Sequence, residues 1–477
     1  MKRLNLIYSL ITFLFVFLGS KGAKAQEVWA LDRCIAYALE HNLQIEQSRL
    51  QAEINQQDVL QAKGQVLPTL NGFANHVYNF GQRIDPFTNQ FAQTRVQSNN
   101  FNLSSNLTLF SGLQNFNAIK QAEFSAMAGR YNVEDQKNNV SLNVALAYLQ
   151  ILQNTELLRV AESQKNVISQ QTTQLEKFVN AGTRPAGDLF EIQAQLANEE
   201  ANVVNAENNL NLAYLQLRQL MQYEGESDFL VALPKVVIRE NTTVSLSPNV
   251  VYETAQTTLP SIKSAEYQSL SASRGVNLAR GRISPSLTLG GSVGTGYSES
   301  RREVIGQEFV GNQPVGFVEG SNETVLVPNF ETNTQRVAFN DQLEENVNRS
   351  VGLTLQVPIF NGFNTATAIN RAKIQSEIAE TNLQLTKNQV RQDIEQAHAD
   401  AVAALKNYRA TEKSIESFQT AFDYAQKRFK VGAINAVEFN TAKNNLNQAE
   451  SRLIQAKYNF LFRMKILDFY MGNPIQL

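Results

Sequence analysis

The chain has 477 residues and a formal net charge of −2, with 43% hydrophobic and 9% aromatic residues. Its 49 asparagines and 43 glutamines together outnumber the 42 basic and 44 acidic residues. This composition is not that of a disordered charged tail, and it offers no overall basic field to nucleic acid. One cysteine excludes a disulfide framework or a cysteine-based metal site, and the three histidines lack metal-ligand spacing. We expect no nucleic-acid partner, cofactor or metal.

The N-terminus predicts export. Two basic residues precede a mostly apolar run, Leu4 to Leu18, and Ala23-Lys24-Ala25 is a small-residue cleavage motif. The run is short for the roughly 20 residues that cross a bilayer as a helix. We therefore predict a signal peptide over 1–25. Gln26 rather than a cysteine would follow the cut, so no lipid anchor is expected there.

The sequence is internally duplicated. The pattern A-[KR]-G-x-[VI]-x-P-[ST]-L occurs at 62–70 and 279–287, and F-x-G occurs at 110–112 and 360–362. The offset between copies rises from 217 to 250 residues, so the second half carries 33 extra residues between these motifs. They fall in a polar stretch, 298–348, which we predict to be a long surface loop. The two predicted repeats are 26–248 and 249–477.

Each repeat contains long helices with heptad patterning. We predict them at about 112–178 and 185–222 in the first repeat, and at about 362–429 and 435–471 in the second. In the first, Val140, Ala147 and Asn154 step by seven, and Val144 and Ile151 fill the second seam position. Seams sustained over this length predict coiled-coil packing. About 65 residues at 1.5 Å each would make a rod of about 100 Å.

The strands have the pattern of membrane strands. Each repeat is expected to hold a hairpin, at about 69–110 and 285–360. In 351–356 and again in 101–109, apolar residues alternate with small or polar ones, as expected for strands between lipid and a water-filled lumen. A soluble sheet is the alternative. Because four strands cannot close a membrane barrel and open edges are not tolerated in lipid, several copies must share one barrel.

Taken in order, the signal peptide, the duplicated helix–hairpin–helix layout, the P-[ST]-L strand starts, the F-x-G exits and the glycine breaks resemble the TolC family of outer-membrane efflux proteins. The resemblance implies a mainly α fold with membrane β structure: a trimeric coiled-coil tunnel joined to a shared transmembrane β-barrel, four strands per subunit. It implies a homotrimer in outer-membrane lipid with a long periplasmic extension, and an equatorial segment at 223–248. It also implies a periplasmic adaptor protein and an inner-membrane pump of the RND or ABC class.

Two glycine-containing breaks separate the long helices. A glycine at a helix C-terminus and an acidic residue in the next first turn are ordinary helix-end features. The resemblance adds that these turns form the periplasmic tip, where acidic residues ring the pore and the turn meets the adaptor. It assigns the pore entrance to Asp188, Glu191 and Glu438, and the adaptor contact to Gly182, Thr183, Arg184, Gly432 and Ala433.

The second break departs from the family pattern. The family's second turn often has an arginine two residues after its glycine and an acid nine residues after. Here Ile434 and Thr441 occupy those places, whereas Arg184 and Glu191 lie in the first break. Which of the two turns carries the gate is therefore open.

Two functions remain open at this stage. One is a passive outer-membrane exit duct of a tripartite efflux or type I secretion system, passing small molecules or proteins outward. The other is a periplasmic coiled-coil scaffold or adaptor whose strands form a soluble sheet. No nucleophile–base–acid arrangement can be read from the residues, and we do not expect an enzyme.

Overall fold

The computed structural model describes residues 28–473, except 82, 85–88, 90, 93–94, 226–228, 235–236, 240–241, 322 and 432. The signal-peptide prediction, 1–25, and Gly432 lie outside the described residues. The helices are α1 (Leu31–His41), α2 (Leu43–Gly64), α3 (Gln114–Asn180), α4 (Ala186–Met221), α5 (Pro248–Thr258), α6 (Pro260–Gly281), α7 (Phe339–Glu345), α8 (Asn364–Lys430) and α9 (Ala436–Tyr470). The strands are β1 (Val28–Trp29), β2 (Thr69–Asn79), β3 (Arg83–Ile84), β4 (Phe91–Ala92), β5 (Val96–Phe110), β6 (Leu230–Val231), β7 (Ser286–Ser298), β8 (Arg302–Phe317), β9 (Thr324–Arg336) and β10 (Asn348–Gln356).

The chain divides into two compact units. Among the described residues, the first unit comprises those up to Asn55, Ser125–Ser269 and those from Ile378 onward, and the second comprises Gln56–Phe124 and Leu270–Glu377. Among the helices that the structure describes, none carries an apolar stretch long enough to cross a membrane.

The core of the first unit surrounds a short parallel pairing of β1 with β6. Trp29 is buried there, and the fully buried Tyr148 donates a hydrogen bond from its hydroxyl to the carbonyl of Ala232, at 2.6 Å. Cys34, the single cysteine, is 0% exposed in the same cluster. Burial raises the pKa of its thiol to about 12, so it acts as a small packed hydrophobe rather than a reactive thiol.

The heptad seams lie where the sequence predicts them. Val144 and Ile151 on α3 are fully buried, as are Ile394 and Ala401 on α8. The seam residue Asn154 donates from its side-chain amide to the carbonyl of Asn209 on α4, at 2.9 Å. Small or amide-bearing seam residues thus allow the helices to approach closely without exposing a wide apolar stripe.

In the second unit, four antiparallel strands form one sheet in the order β10-β7-β5-β2. The register places Leu353, Leu289 and Leu107 side by side on one face. The opposite face carries Ser350, Ser292 and Ser104 in a row, with 2.8 Å between the hydroxyls of Ser350 and Ser292. The predicted alternation therefore produces one apolar face and one face of small polar residues. β10 ends at Gln356, two residues before Pro358, which has no amide hydrogen to donate to the ladder.

The stretch 298–348 is not a loop. It contains β8 and β9, which pair antiparallel as a long hairpin, and the short helix α7. The alternation was hidden in the sequence because the register shifts at three places, between Val304 and Gly306, Phe309 and Gly311, and Pro314 and Gly316. Prolines within both strands also argued against strands from sequence alone.

Candidate functional site

The first interhelical turn (181–185) joins α3 to α4. Gly182 has φ +70°, the left-handed conformation that the sequence predicts for this glycine. Thr183 closes the turn by donating from both its backbone amide and its hydroxyl to the carbonyl of Phe178, each at 2.9 Å. Gly182 and Thr183 are exposed, so the turn presents its backbone and one hydroxyl to its surroundings.

Three charged residues lie at or near the start of α4, one in the turn and two in the helix. Arg184 is half-buried, and its Nη1 lies 3.8 Å from Oδ2 of Asp188 in the first turn of that helix. A carboxylate in the first turn also interacts favourably with the helix dipole. Glu191 is exposed further along the helix. The structure thus brings Arg184 and Asp188 together and leaves Glu191 at the surface.

The second interhelical turn (431–435) joins α8 to α9. The backbone amide of Ala433 donates to the carbonyl of Arg428, at 2.9 Å. Asn435 caps α9, because its Oδ1 accepts a hydrogen bond from the backbone amide of Glu438, at 2.9 Å. Ile434, which replaces the arginine of the family pattern, is buried, whereas Ala433 and Glu438 are exposed.

An aromatic cluster lies beside the second turn and connects it to the first. The ring of Phe429 stacks on that of Phe439, with centroids 4.8 Å apart, and Phe439 is only 3% exposed. The guanidinium of Arg184 lies over Phe429, 6.0 Å from the ring centroid. Arg184 therefore reaches from the first turn to an aromatic residue at the end of α8, next to the second turn, which places the two turns side by side.

A buried charged pair above the turns was missed from sequence. Lys443 on α9 is 3% exposed and Glu199 on α4 is 5% exposed. Nζ of Lys443 has no hydrogen-bond partner among the described residues. Burial lowers the pKa of Lys443 to about 8, and the charge of Glu199 opposes that shift only in part. Helical spacing could have indicated the burial of Lys443, because this residue lies between Phe439 and Leu446 on the buried side of α9.

No cluster of His, Cys, Asp and Glu able to hold a metal ion occurs in the part of the chain that the structure describes. The charged residues of the two turns can instead act through their electrostatic field and through direct contacts. One guanidinium bridges a carboxylate and an aromatic ring, and further carboxylates are exposed close to helix N-termini.

Comparisons with known proteins identify the fold and the family. A family model described as outer membrane efflux protein matches residues 34–221 and 251–473. The chain is 24% identical over 454 residues to the outer membrane protein TolC of Vibrio cholerae, covering 95% of this chain and 93% of that protein. It is 31% identical over 127 residues to the alkaline protease secretion protein AprF of Pseudomonas aeruginosa, covering 26% of each.

A solved structure agrees with these relatives. The CmeC outer membrane channel of Campylobacter jejuni superposes with a TM-score of 0.74 at 15% identity, covering 94% of this chain and 86% of that chain. The expected fold class, mainly α with membrane β structure as in outer-membrane channels, is confirmed, and so is the outer-membrane location. These matches favour the outer-membrane channel over the alternative of a periplasmic scaffold. The chain belongs to the outer membrane efflux protein family, a family of channels rather than enzymes.

Proposed function

We propose that this protein is the outer-membrane exit duct of a tripartite efflux or type I secretion system. A homotrimer would conduct small molecules or proteins passively from an inner-membrane pump, of the RND or ABC class, through a periplasmic adaptor to the exterior. Relatives named for efflux and for protease secretion support both cargo classes.

The two-faced sheet is the observation that carries this proposal. In the part of the chain that the structure describes, β10 and β2 each pair with one strand only, so both outer edges of the sheet are open. Its apolar face exposes Val351, Leu353 and Leu355, at 83%, 65% and 65%. An apolar face and open edges are compatible with lipid only when copies pair edge to edge into a closed barrel. The face of serines and asparagines would then line a hydrated lumen.

The interhelical turns are the proposed gate and adaptor contact. Asp188, Glu191 and Glu438 would ring the pore entrance, where carboxylates attract cations and repel anions. Gly182, Thr183, Arg184, Gly432 and Ala433 would meet the adaptor. The contact of Arg184 with Phe429 supports a gate shared by both turns rather than held by one.

Cell fractionation combined with site-directed crosslinking tests the function. We expect a trimer in the outer-membrane fraction that requires detergent for extraction and falls to monomers on heating. A photo-crosslinking residue at Thr183 should capture a periplasmic adaptor in intact cells, whereas the same residue at the exposed Asn205 of α4 should not. The pump that co-purifies distinguishes the RND from the ABC class. A monomer released from membranes by salt would contradict the proposal.

A further inference from the structure

The hairpin of β8 and β9 occupies the place in the second repeat that the two-residue strands β3 and β4 occupy between β2 and β5 of the first, and it is far longer. It accounts for the 33 extra residues of the second half, and its strands span Arg302–Phe317 and Thr324–Arg336. It leaves the sheet between the end of β7 and the start of β10. The long helices α3 and α8 follow the opposite ends of the strands, after Phe110 and Gln356. The hairpin therefore lies at the end of the sheet away from the helices.

A polar clamp fixes the base of this hairpin. Gln342 of α7 is 0% exposed, and its Oε1 accepts a hydrogen bond from the backbone amide of Ser298, at 2.9 Å. Its Nε2 donates to the carbonyls of Ser298 and Val337, at 3.0 and 2.9 Å. Arg301 adds an ion pair with Glu345, at 2.6 Å. A buried side chain with these satisfied contacts gives the hairpin a defined direction rather than a loose attachment.

The two faces of the hairpin differ in chemistry. The cross-strand register places Phe309 opposite Phe330, with ring centroids 5.7 Å apart, and Pro314 opposite Leu326. The same face is called here the phenylalanine face, and two arginines lie at its base, Arg302 and Arg336. Its apolar members are Val304, Phe309, Pro314, Phe317, Leu326, Pro328 and Phe330, and its polar members are Gln307, Asn312, Thr324, Thr332 and Thr334. The opposite face carries the carboxylates of Glu303, Glu308 and Glu331 together with Val325 and Val327.

The phenylalanine face is uncovered in the single chain. Phe309 and Phe330 are 54% and 53% exposed, and Leu326 is 52% exposed. An isolated two-stranded hairpin is marginally stable in water, and a contiguous exposed apolar face on a folded protein marks an interaction site. A hairpin that is clamped at its base and apolar on one face therefore needs an occupant for that face.

A second copy of the chain fits this face best. The hairpin leads through α7 directly into β10, the open outer edge at which a neighbouring subunit's β2 must pair to close the barrel. The phenylalanine face carries no carboxylate between its base arginines, so copies can meet through it without like-charge repulsion. The sixteen residues of β8, at about 3.3 Å per residue, give the hairpin a length of about 50 Å along which copies can pack.

We infer that the three hairpins of a trimer pack through their phenylalanine faces into a collar beyond the outer mouth of the barrel. The inference rests on the trimer of the proposed function. The collar buries the aromatic rings between subunits and turns the acidic faces outward.

Crosslinking of single cysteines in whole cells tests the collar. In a Cys34→Ala background, Thr332→Cys places a thiol on the phenylalanine face and Asn333→Cys places one on the opposite face. With a bis-maleimide that spans about 10 Å, the spacing of packed sheets, we expect denatured gels to show crosslinked dimers for T332C and none for N333C. The pair F309S and F330S should abolish the T332C product, whereas V325S and V327S on the opposite face should preserve it.

The heat-modifiable trimer is measured in parallel without crosslinker. Absence of the trimer would refute the proposed function and the collar together. A stable trimer in which T332C crosslinks no better than N333C would overturn the collar alone. A T332C thiol that is shielded from a water-soluble maleimide but forms no crosslink would assign the face to lipid or to another protein, which also overturns it.

Discussion

The guanidinium of Arg184 lies 6.0 Å from the ring centroid of Phe429, although the two residues belong to different halves of the duplicated chain. Arg184 also faces Asp188 at 3.8 Å, and Phe429 stacks on Phe439 at 4.8 Å. One side chain of the first interhelical turn thus connects a carboxylate in the first turn of α4 to the aromatic cluster beside the second interhelical turn. This contact is the basis of the proposed shared gate.

Removal of Arg184 should favour the open channel. A cation–π contact and a partly exposed ion pair contribute together about 1–2 kcal/mol, which corresponds to roughly a tenfold shift in a two-state equilibrium. We expect R184A to increase the open occupancy of single channels in planar bilayers by about that factor. Lys177→Ala, an exposed cation of the last turn of α3, is the matched control and should leave it unchanged. Equal occupancy in R184A and wild type would show that the contact does not hold the gate.

Neutralising the acidic residues should reduce cation selectivity. Asp188→Asn with Glu438→Gln removes two carboxylates per subunit from the proposed entrance, so the cation-to-anion permeability ratio should fall toward unity. Glu207→Gln removes an exposed carboxylate further along α4 and serves as the control. Reversal potentials in asymmetric salt measure the ratio. If the double variant keeps the wild-type reversal potential, these carboxylates do not line the entrance.

Lys443 should make stability depend on alkaline pH. Burial lowers its pKa from 10.5 to about 8, so between those values the unfolded chain binds more protons than the folded one. Stability therefore rises as pH increases from about 8 toward 10.5. K443M combined with E199Q should remove this contribution without leaving an unpaired buried charge, and should stabilise the trimer at neutral pH by about 1–3 kcal/mol per subunit.

The temperature at which the trimer dissociates, measured across this pH range, provides the test. Lys457→Met, on the same helix but ion-paired with Glu156 at 3.0 Å, is the comparison and should not stabilise at neutral pH. A wild-type dissociation temperature that stays flat or falls across the range, relative to the K443M/E199Q double variant, would contradict the assignment.

Gln342 should control the hairpin without controlling the barrel. Gln342→Leu removes the hydrogen bonds that the side chain makes with the amide and carbonyl of Ser298 and with the carbonyl of Val337, at about 0.5–1.5 kcal/mol for each bond. We expect faster tryptic cleavage after Arg301 and Arg302 while the heat-modifiable trimer persists. Gln335→Leu, on the exposed hairpin surface, should digest like wild type. Unchanged digestion of Q342L would mean that the clamp does not anchor the hairpin.

Most of the fold could be predicted from local sequence patterns. Heptad spacing located the seams of α3 and α8, and alternation located the four strands of the sheet, because both depend on neighbouring residues. The β8–β9 hairpin was predicted as a loop because three register shifts and the prolines Pro314 and Pro328 interrupt its alternation. In a strand with bulges, the residues that share a face are set by the pairing with the neighbouring strand and not by a regular spacing of two along the sequence.

The site was predictable only in part. The left-handed glycine of the first turn and the acidic helix starts follow from local helix-end chemistry, and they lie where expected. The contact between Arg184 and Phe429 depends on how two distant turns dock, and no local pattern specifies it. The burial of Lys443 beside Glu199 likewise follows from the packing of α9 on α4.

Single-channel recording on the purified wild-type protein tests the central claim most directly. In a planar bilayer, the detergent-extracted trimer should insert and produce discrete, cation-selective conductance steps that shift toward the open state in R184A. A homogeneous, correctly assembled trimer that inserts into the bilayer and conducts no ions, in either the wild type or R184A, would contradict the account of this chain as a gated duct.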